Sequence, residues 1–401
     1  MELTSSPPAP GKHALRALAV ALLLFTTACG ETPTQEEAAP EGASPQQAAP
    51  AEPGDGGGEP SGDGAAPAGD CAYDEVFAAV DGLEGQERID ALLALAQEEG
   101  ELNVYTSNTD LADQAELFTD QYGIEVSLYR AQGNQVLQRV LQEAEAGFAG
   151  ADIFEGGGEE MVAASSEGLL EEYDGPTREG LVEGAMQDGW VGSRFNVFTV
   201  SWNTDLVQEP PTSYEDLADP RFEGLIMIEP RAFEWFMTLS DHFVNEEGMT
   251  QEEVDELFSR IAANSTAITG NTGHANFLAA GEYGVSTSVY SHLVDELTVS
   301  DAPVQRTPAV EPVVTRPNGI GLMCNAQNPA SSLLFFEWVL TDAQPLLVED
   351  FRVPARESAQ QDDLQGLTTL TVDMERVLNE RAEWEERYAE VLGNAEAEPA
   401  G

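Results

Sequence analysis

The chain predicts an α/β fold with a largely parallel sheet covered by helices on both faces. Two observations lead there. From Ile89 onward, apolar residues alternate between helical spacing and short strand-like runs, with a β-α-β-α-β order after the first helix, and such a succession builds parallel sheets. Residues 71–401 are also too many for one small core and fit either two domains or one large bilobal one.

Ile89, Leu92, Leu93 and Ala96 fall on one helical face, and Gly100 is placed to end that helix. Leu102 to Tyr105 reads as the first strand. Leu111, Ala115, Phe118 and Tyr122 recur at helical spacing up to Gly123, after which Ile124, Val126 and Leu128 alternate as a half-buried strand. Val136, Leu137, Val140, Leu141 and Ala144 mark the next helix, and Ala151 to Phe154 the third strand. Ligands of such sheets gather at the carboxyl ends of the strands. The first strand runs into Thr106, Ser107, Asn108, Thr109 and Asp110. Free N–H groups at the start of the following helix suit an anionic ligand. Capping by Asn108, Thr109 or Asp110 explains the same residues, and the two roles are compatible. The third strand runs into Glu155-Gly156-Gly157-Gly158, where glycines admit a ligand to the backbone and Glu155 offers a carboxylate. The Lys and Ser/Thr of a phosphate-binding P-loop are absent there.

At the N-terminus, Lys12, His13 and Arg16 precede the apolar run Ala17 to Phe25, and Thr26-Thr27-Ala28 leads into Cys29. This is the pattern of a secretory signal peptide, too short to span a membrane. Phe25-Thr26-Thr27-Ala28-Cys29 resembles a bacterial lipobox, with Thr26 where Leu is usual. The expectation is a lipoprotein signal over 1–29 with the lipid on Cys29, the alternative being plain signal cleavage. Residues 30–70, an acidic Pro/Gly/Ala linker without aromatic or branched apolar side chains, are expected to be disordered. The folded body of 71–401 would then stand on the outer face of the cell membrane, or in a periplasm where an outer membrane exists.

The chain has 73 acidic and 17 basic residues. Ten of the acids and two of the bases lie in residues 1–70, which leaves 63 against 15 and a body near −48. Nucleic acid is excluded as a partner, because phosphate binding needs a basic face. Self-repulsion on this scale is best tolerated where salt screens it, which points to a saline habitat or to a merely acidic surface. With Cys29 acylated, Cys71 and Cys324 remain as an even pair in an oxidising compartment. A disulfide is expected, with two free thiols as the alternative, and no spacing suggests zinc.

Leu102-Asn103-Val104-Tyr105-Thr106-Ser107, the stretch Tyr214 to Gly224 (YEDLADPRFEG) and Arg316-Pro317-Asn318-Gly319-Ile320-Gly321 resemble the ferric-iron-type periplasmic solute-binding proteins of ABC importers. The resemblance extends over roughly 98 to 360, in the family's order. It implies a two-lobed type II periplasmic-binding-protein fold with two crossover strands and a ligand closed between the lobes. It also implies permease and ATPase subunits as partners, no catalysis and no cofactor. Lobe 1 would comprise about 98–192 and 306–345, and lobe 2 about 193–305 plus the C-terminal helices. Ser193 to Val200 would form a strand near the first crossing, with Arg194 facing either the cleft or a structural carboxylate. Arg306 to Thr315 would be the return crossing.

The family's iron binders use a histidine after the first strand, a glutamate after the third and two adjacent tyrosines in the second lobe, as hard Fe(III) prefers anionic oxygen. Here Thr109 holds the histidine's place, Glu155 lies near the glutamate's, and Val289-Tyr290-Ser291-His292 offers one phenol. Glu155 and Tyr290 are the metal-ligand candidates. Tyr290 reads as a ligand or stacking group and His292 as a ligand or hydrogen-bond donor, against ordinary helix-surface side chains. Arg231 suits a carboxylate, phosphate or phosphonate, or else neutralises acidic neighbours. Asn271 is a cleft donor, with His274 structural. The expected ligand is ferric iron with an accompanying anion, or a small oxygen-rich anion. The alternatives are a secreted cell-envelope hydrolase or an adhesion lipoprotein; the hydrolase lacks both G-x-S-x-G and H-E-x-x-H.

Overall fold

The computed structural model describes residues 71–401 except 183, 361–363, 394 and 398–401. The signal, Cys29 and the linker lie outside the described residues.

Helices α1 (Asp74–Ala79) and α2 (Gly85–Ala96) lead into β1 (Leu102–Thr106), α3 (Leu111–Tyr122), β2 (Val126–Arg130), α4 (Gly133–Glu145), β3 (Ile153–Gly157) and α5 (Gly158–Ser166). This is the alternation the apolar spacing predicts, and β1 pairs in parallel with both β2 and β3. Leu111, Ala115 and Phe118 of α3 are buried, and Gly123, at φ 72°, closes the helix in the left-handed conformation that glycine adopts without strain.

Short strands β4 (Leu170–Glu171) and β5 (Met186–Gln187) precede β6 (Trp190–Asn203), which is buried along its whole length. There follow β7 (Ile226–Ile228), α6 (Phe233–Asn245), α7 (Gln251–Ala263), β8 (Ser265–Ala267), α8 (Asn271–Ala280), β9 (Val285–Tyr290) and α9 (Ser291–Val299). The chain returns through β10 (Val304–Gln305) and β11 (Val313–Met323). It then forms α10 (Pro329–Val339), α11 (Gln344–Glu349), β12 (Val353–Pro354), β13 (Thr369–Thr371), α12 (Met374–Leu392) and β14 (Glu396–Ala397). No helix among the described residues is long and apolar enough to cross a membrane.

The main sheet path runs β14-β8-β7-β9-β6-β11-β3-β1-β2. The two long strands, β6 and β11, lie antiparallel at its centre, with β7 to β9 on one side and β1 to β3 on the other. This is the type II periplasmic-binding-protein fold with two crossing strands. The return strand begins at Val313, later than the expected 306–315. Pro308 and Pro312 supply no N–H to a ladder, and only Val304 and Gln305 pair before them, with Asn203 and Trp202 of β6.

Each half has its own aromatic core. On one side Phe118 of α3 packs on Phe335 and Trp338 of α10, which is buried from Ala330 to Val339, and Phe336 packs on Tyr173. Tyr214, Trp235, Phe236 and Phe258 are fully buried on the other side, with Trp384 and Tyr388 of α12 against them. Cys71 is joined to Cys324, just past β11, by a disulfide spanning 253 positions, and Ala72 N–H donates to the Cys324 carbonyl at 2.9 Å.

Candidate ligand-binding site

Thr106 ends β1 fully buried. Its hydroxyl donates to Glu155 Oε2 and accepts from the Asn108 N–H at 2.9 Å. Glu155 lies inside β3 rather than in a turn after it, because the strand runs on to Gly157 and Glu155 sits in register with both Thr106 and Ile320. Its other oxygen pairs with Arg194 of β6, both side chains being more than nine-tenths buried. Of the two readings of Arg194, the structural carboxylate is the one found. Asn108 Oδ1 accepts from the Asp110 N–H at 3.1 Å, and Thr109 donates to Asp110 Oδ1 at 2.7 Å on the surface. These residues order the turn before α3, although none of their side chains caps it in the N2 or N3 sense.

Beside that network Ser107, Gly133, Gly157, Gly158, Glu160 and Arg316 line a cavity of about 180 Å³, with Glu159 and Asn318 also on its wall. Helices α4 and α5 both start on this wall, so unpaired N–H groups and the positive ends of two helix dipoles gather there. From β11, Arg316 Nη1 donates to Glu234 Oε1 and Nη2 to the Tyr290 hydroxyl, each at 2.9 Å. Glu234 is on α6 and Tyr290 ends β9, so the guanidinium reaches from the crossing strand into the second half. Arg316 Nε and Asn318 Nδ2 are buried with no partner in the protein.

Burial pushes the Tyr290 phenol above its ordinary range, against the pull of Arg316. Burial likewise raises the carboxyls of Glu234 and Glu160. Glu159 is paired with Arg381 of α12 at 2.6 Å. The one group of three His, Cys, Asp or Glu residues close enough for a metal among the described residues is Cys71, Glu171 and Cys324, whose sulfurs form the disulfide.

His292, at the start of α9, is buried and stacks on Tyr290 with ring centroids 5.8 Å apart. Its Nε2 accepts from Arg352 Nη1 at 2.9 Å. Burial, then the neighbouring Arg352, lowers its pKa to about 3, so the ring is neutral. His274 is structural: its nitrogens meet Ser286 Oγ and the Ile268 carbonyl at 2.7 and 2.8 Å. Arg231 is a surface side chain bonded to buried Glu229 at 3.2 Å. Asn271 starts α8 with a buried, unpartnered Oδ1. Neither lines the cavity. Arg316 and Asn318 give one sequence signal, polar side chains two apart on a strand whose other residues, Thr315 apart, are apolar or glycine, which the period of two sends to one face.

A model of the bacterial extracellular solute-binding proteins matches residues 160–306. The chain is 25% identical over 276 residues to iron uptake protein A1 of Synechocystis sp. (strain ATCC 27184 / PCC 6803 / Kazusa), covering 63% of this chain and 75% of that one. Among solved structures, AfuA of Actinobacillus pleuropneumoniae with bound fructose-6-phosphate matches at TM-score 0.60 and 19% identity, over 73% of this chain and 98% of that one. The Trichodesmium protein IdiA (FutA) with iron and citrate ligands matches at TM-score 0.57 and 19% identity, over 73% and 99%. The apo ferric ion-binding protein A of Pasteurella haemolytica matches at 0.61 and 17%, over 73% and 98%. The chain thus shares the fold of these structures, and its central stretch, residues 160–306, is similar to the bacterial extracellular solute-binding proteins.

Proposed function

We propose that this chain is the solute-binding component of an ABC importer, and that it captures a small oxygen-rich anion, or ferric iron carried with such an anion, at the cavity of Arg316 and Asn318. The observation that carries this reading is the pair of unmet donors. A buried N–H without an acceptor costs about 1–3 kcal/mol, and an anionic oxygen placed in the cavity removes that cost twice over. The starts of α4 and α5 add further N–H groups, so phosphate-like and carboxylate-like ligands both fit the donor set. The relatives bear on the same chemistry: one is named for iron uptake, one structure holds iron and citrate, another a sugar phosphate. Glu155 and Tyr290 are each engaged by an arginine, so bare iron would have to displace a guanidinium from either.

In this reading lobe 1, about 98–192 and 306–345, and lobe 2, about 193–305 with the C-terminal helices, close on the ligand. Permease and ATPase subunits receive it, and no catalytic step is involved. A lipid on Cys29 and the 30–70 tether would hold the body near the importer at the outer face of the membrane.

Calorimetry of the purified protein with inorganic phosphate, methylphosphonate, citrate and ferric citrate tests the proposal. Binding of at least one is expected, abolished by Arg316→Ala and weakened about tenfold or more by Asn318→Ala, the factor that 1.4 kcal/mol or more implies. Failure of all four to bind, or binding unchanged in Arg316→Ala, refutes it. So does a strong tyrosinate-to-iron absorption band with ferric iron and no added anion.

A further inference from the structure

Outside the cavity, Arg352 makes contacts that no ligand role uses. Its Nη2 donates to Asp110 Oδ2 at 2.7 Å and its Nη1 to His292 Nε2 at 2.9 Å. Asp110 belongs to the turn between β1 and α3, and His292 to the start of α9, on opposite sides of the β6–β11 pair. Arg352 follows α11, which packs on the core of the first half through Ala343 and Leu346. It lies between α11 and β12, and β12 is itself paired to β6 at Phe195 and Arg194.

The backbone that presents this arginine is unusual. The Arg352 N–H donates to the Leu347 carbonyl at 2.8 Å and the Phe351 N–H to the Val348 carbonyl at 3.1 Å, the paired bonds of a Schellman helix end. The motif's left-handed position normally holds glycine, and the next position an apolar residue that packs back on the helix. Here Phe351 takes the left-handed conformation at φ 56°, a rare conformation for a bulky side chain, and the next residue is Arg352. Both departures deliver a guanidinium to the junction of the two halves. His292, neutral through burial, is an acceptor there rather than a competing cation.

We propose that Arg352 is a positioning residue for ligand capture, a latch that ties Asp110 to His292 and holds the two halves closed beside the cavity without touching the ligand. The step from closure to capture rests on the function proposed above; the tie itself does not. A bridge present only when the halves are closed shifts the closed population and slows ligand escape, while leaving the encounter of ligand with the open form unchanged.

Small-angle scattering of ligand-free protein tests the tie directly. Wild type, Arg352→Ala, Arg352→Lys, Asp110→Ala and, as a control that keeps the helix end, Phe351→Gly are compared, with circular dichroism melts to establish that each is folded. Arg352→Ala and Asp110→Ala are expected to show a larger radius of gyration, Arg352→Lys an intermediate one, and Phe351→Gly the wild-type value. Stopped-flow measurements with inorganic phosphate and ferric citrate test the consequence. Dissociation from Arg352→Ala is expected to be roughly tenfold to a hundredfold faster, the loss of one or two hydrogen bonds to a charged group, with association within about twofold of wild type. Folded variants with wild-type scattering and wild-type dissociation overturn the proposal. If Arg352→Ala does not fold, Asp110→Ala decides by the same two readouts. Should neither probe bind the wild type, methylphosphonate and citrate take their place; failure of all four ends the reading of the cavity, while the scattering comparison still decides the latch.

Discussion

Two histidines that look alike in the sequence meet their environments through different partners, and both are held neutral. His274 bonds Ser286 and the Ile268 carbonyl, while His292 accepts from Arg352. The ordinary histidine value is 6.5, and His292 is lowered to about 3 by burial and then by Arg352, with Asp110 opposing and Arg194 adding to the shift. Between those values the unfolded chain binds a proton that the folded chain does not. The stabilisation is therefore complete above about pH 6.5 and is lost as the pH falls toward 3. Glu160 and Glu234, raised by burial, act in the opposite sense, so the test compares two proteins. Between pH 7 and pH 5, His292→Gln should lose about 2 kcal/mol less stability than wild type in urea titrations; equal losses would remove the assignment. The neutral, acceptor state of His292 was not legible in the sequence, because Arg352 lies sixty positions away and meets it only in the fold.

Strand β11 shows what could and could not be read at the level of an element. The β-α-β-α-β alternation through β3 follows from apolar spacing, since periods of 2 and 3.6 decide which faces are buried. The start of β11 was misplaced because prolines and valines together leave the ladder's first donor ambiguous. Glu155 appeared to follow its strand because the glycines after it resemble a turn. In the sheet, Gly319 stands between Gly156 of β3 and Gly192 of β6, and a Cβ on Gly319 would lie 2.0 Å from the Trp190 ring. The missing side chain of Gly319 makes room for the indole. Gly319→Ala should cost about 1–3 kcal/mol by overpacking, with a lowered midpoint in urea. An unchanged midpoint would mean that Trp190 has somewhere else to go.

For the molecule as a whole the excess of carboxylates is the dominant long-range term. The arginines are largely committed to pairs, among them Arg88 with Glu337, Arg194 with Glu155 and Arg387 with Asp255, so the surplus negative charge has no counter-charge of its own. Screening over about 10 Å at 0.1 M salt, and about 3 Å at 1 M, weakens that repulsion. The melting temperature is accordingly expected to rise by several degrees between dilute and molar sodium chloride, and a flat response would remove the inference of a saline habitat. Composition and spacing, being local properties of the chain, determined the α/β class, the excess of carboxylates and the pairing of Cys71 with Cys324 by parity. The arrangement of the cavity, and of the contacts of Arg352 outside it, was decided only by the tertiary structure. Arg316 meets Glu234 and Tyr290, and Arg352 meets Asp110 and His292, across separations of tens to hundreds of residues. Which of a few arginines satisfies which buried acceptor depends on the register of β6 against β11 and on the closure of the two halves, and no local pattern encodes either.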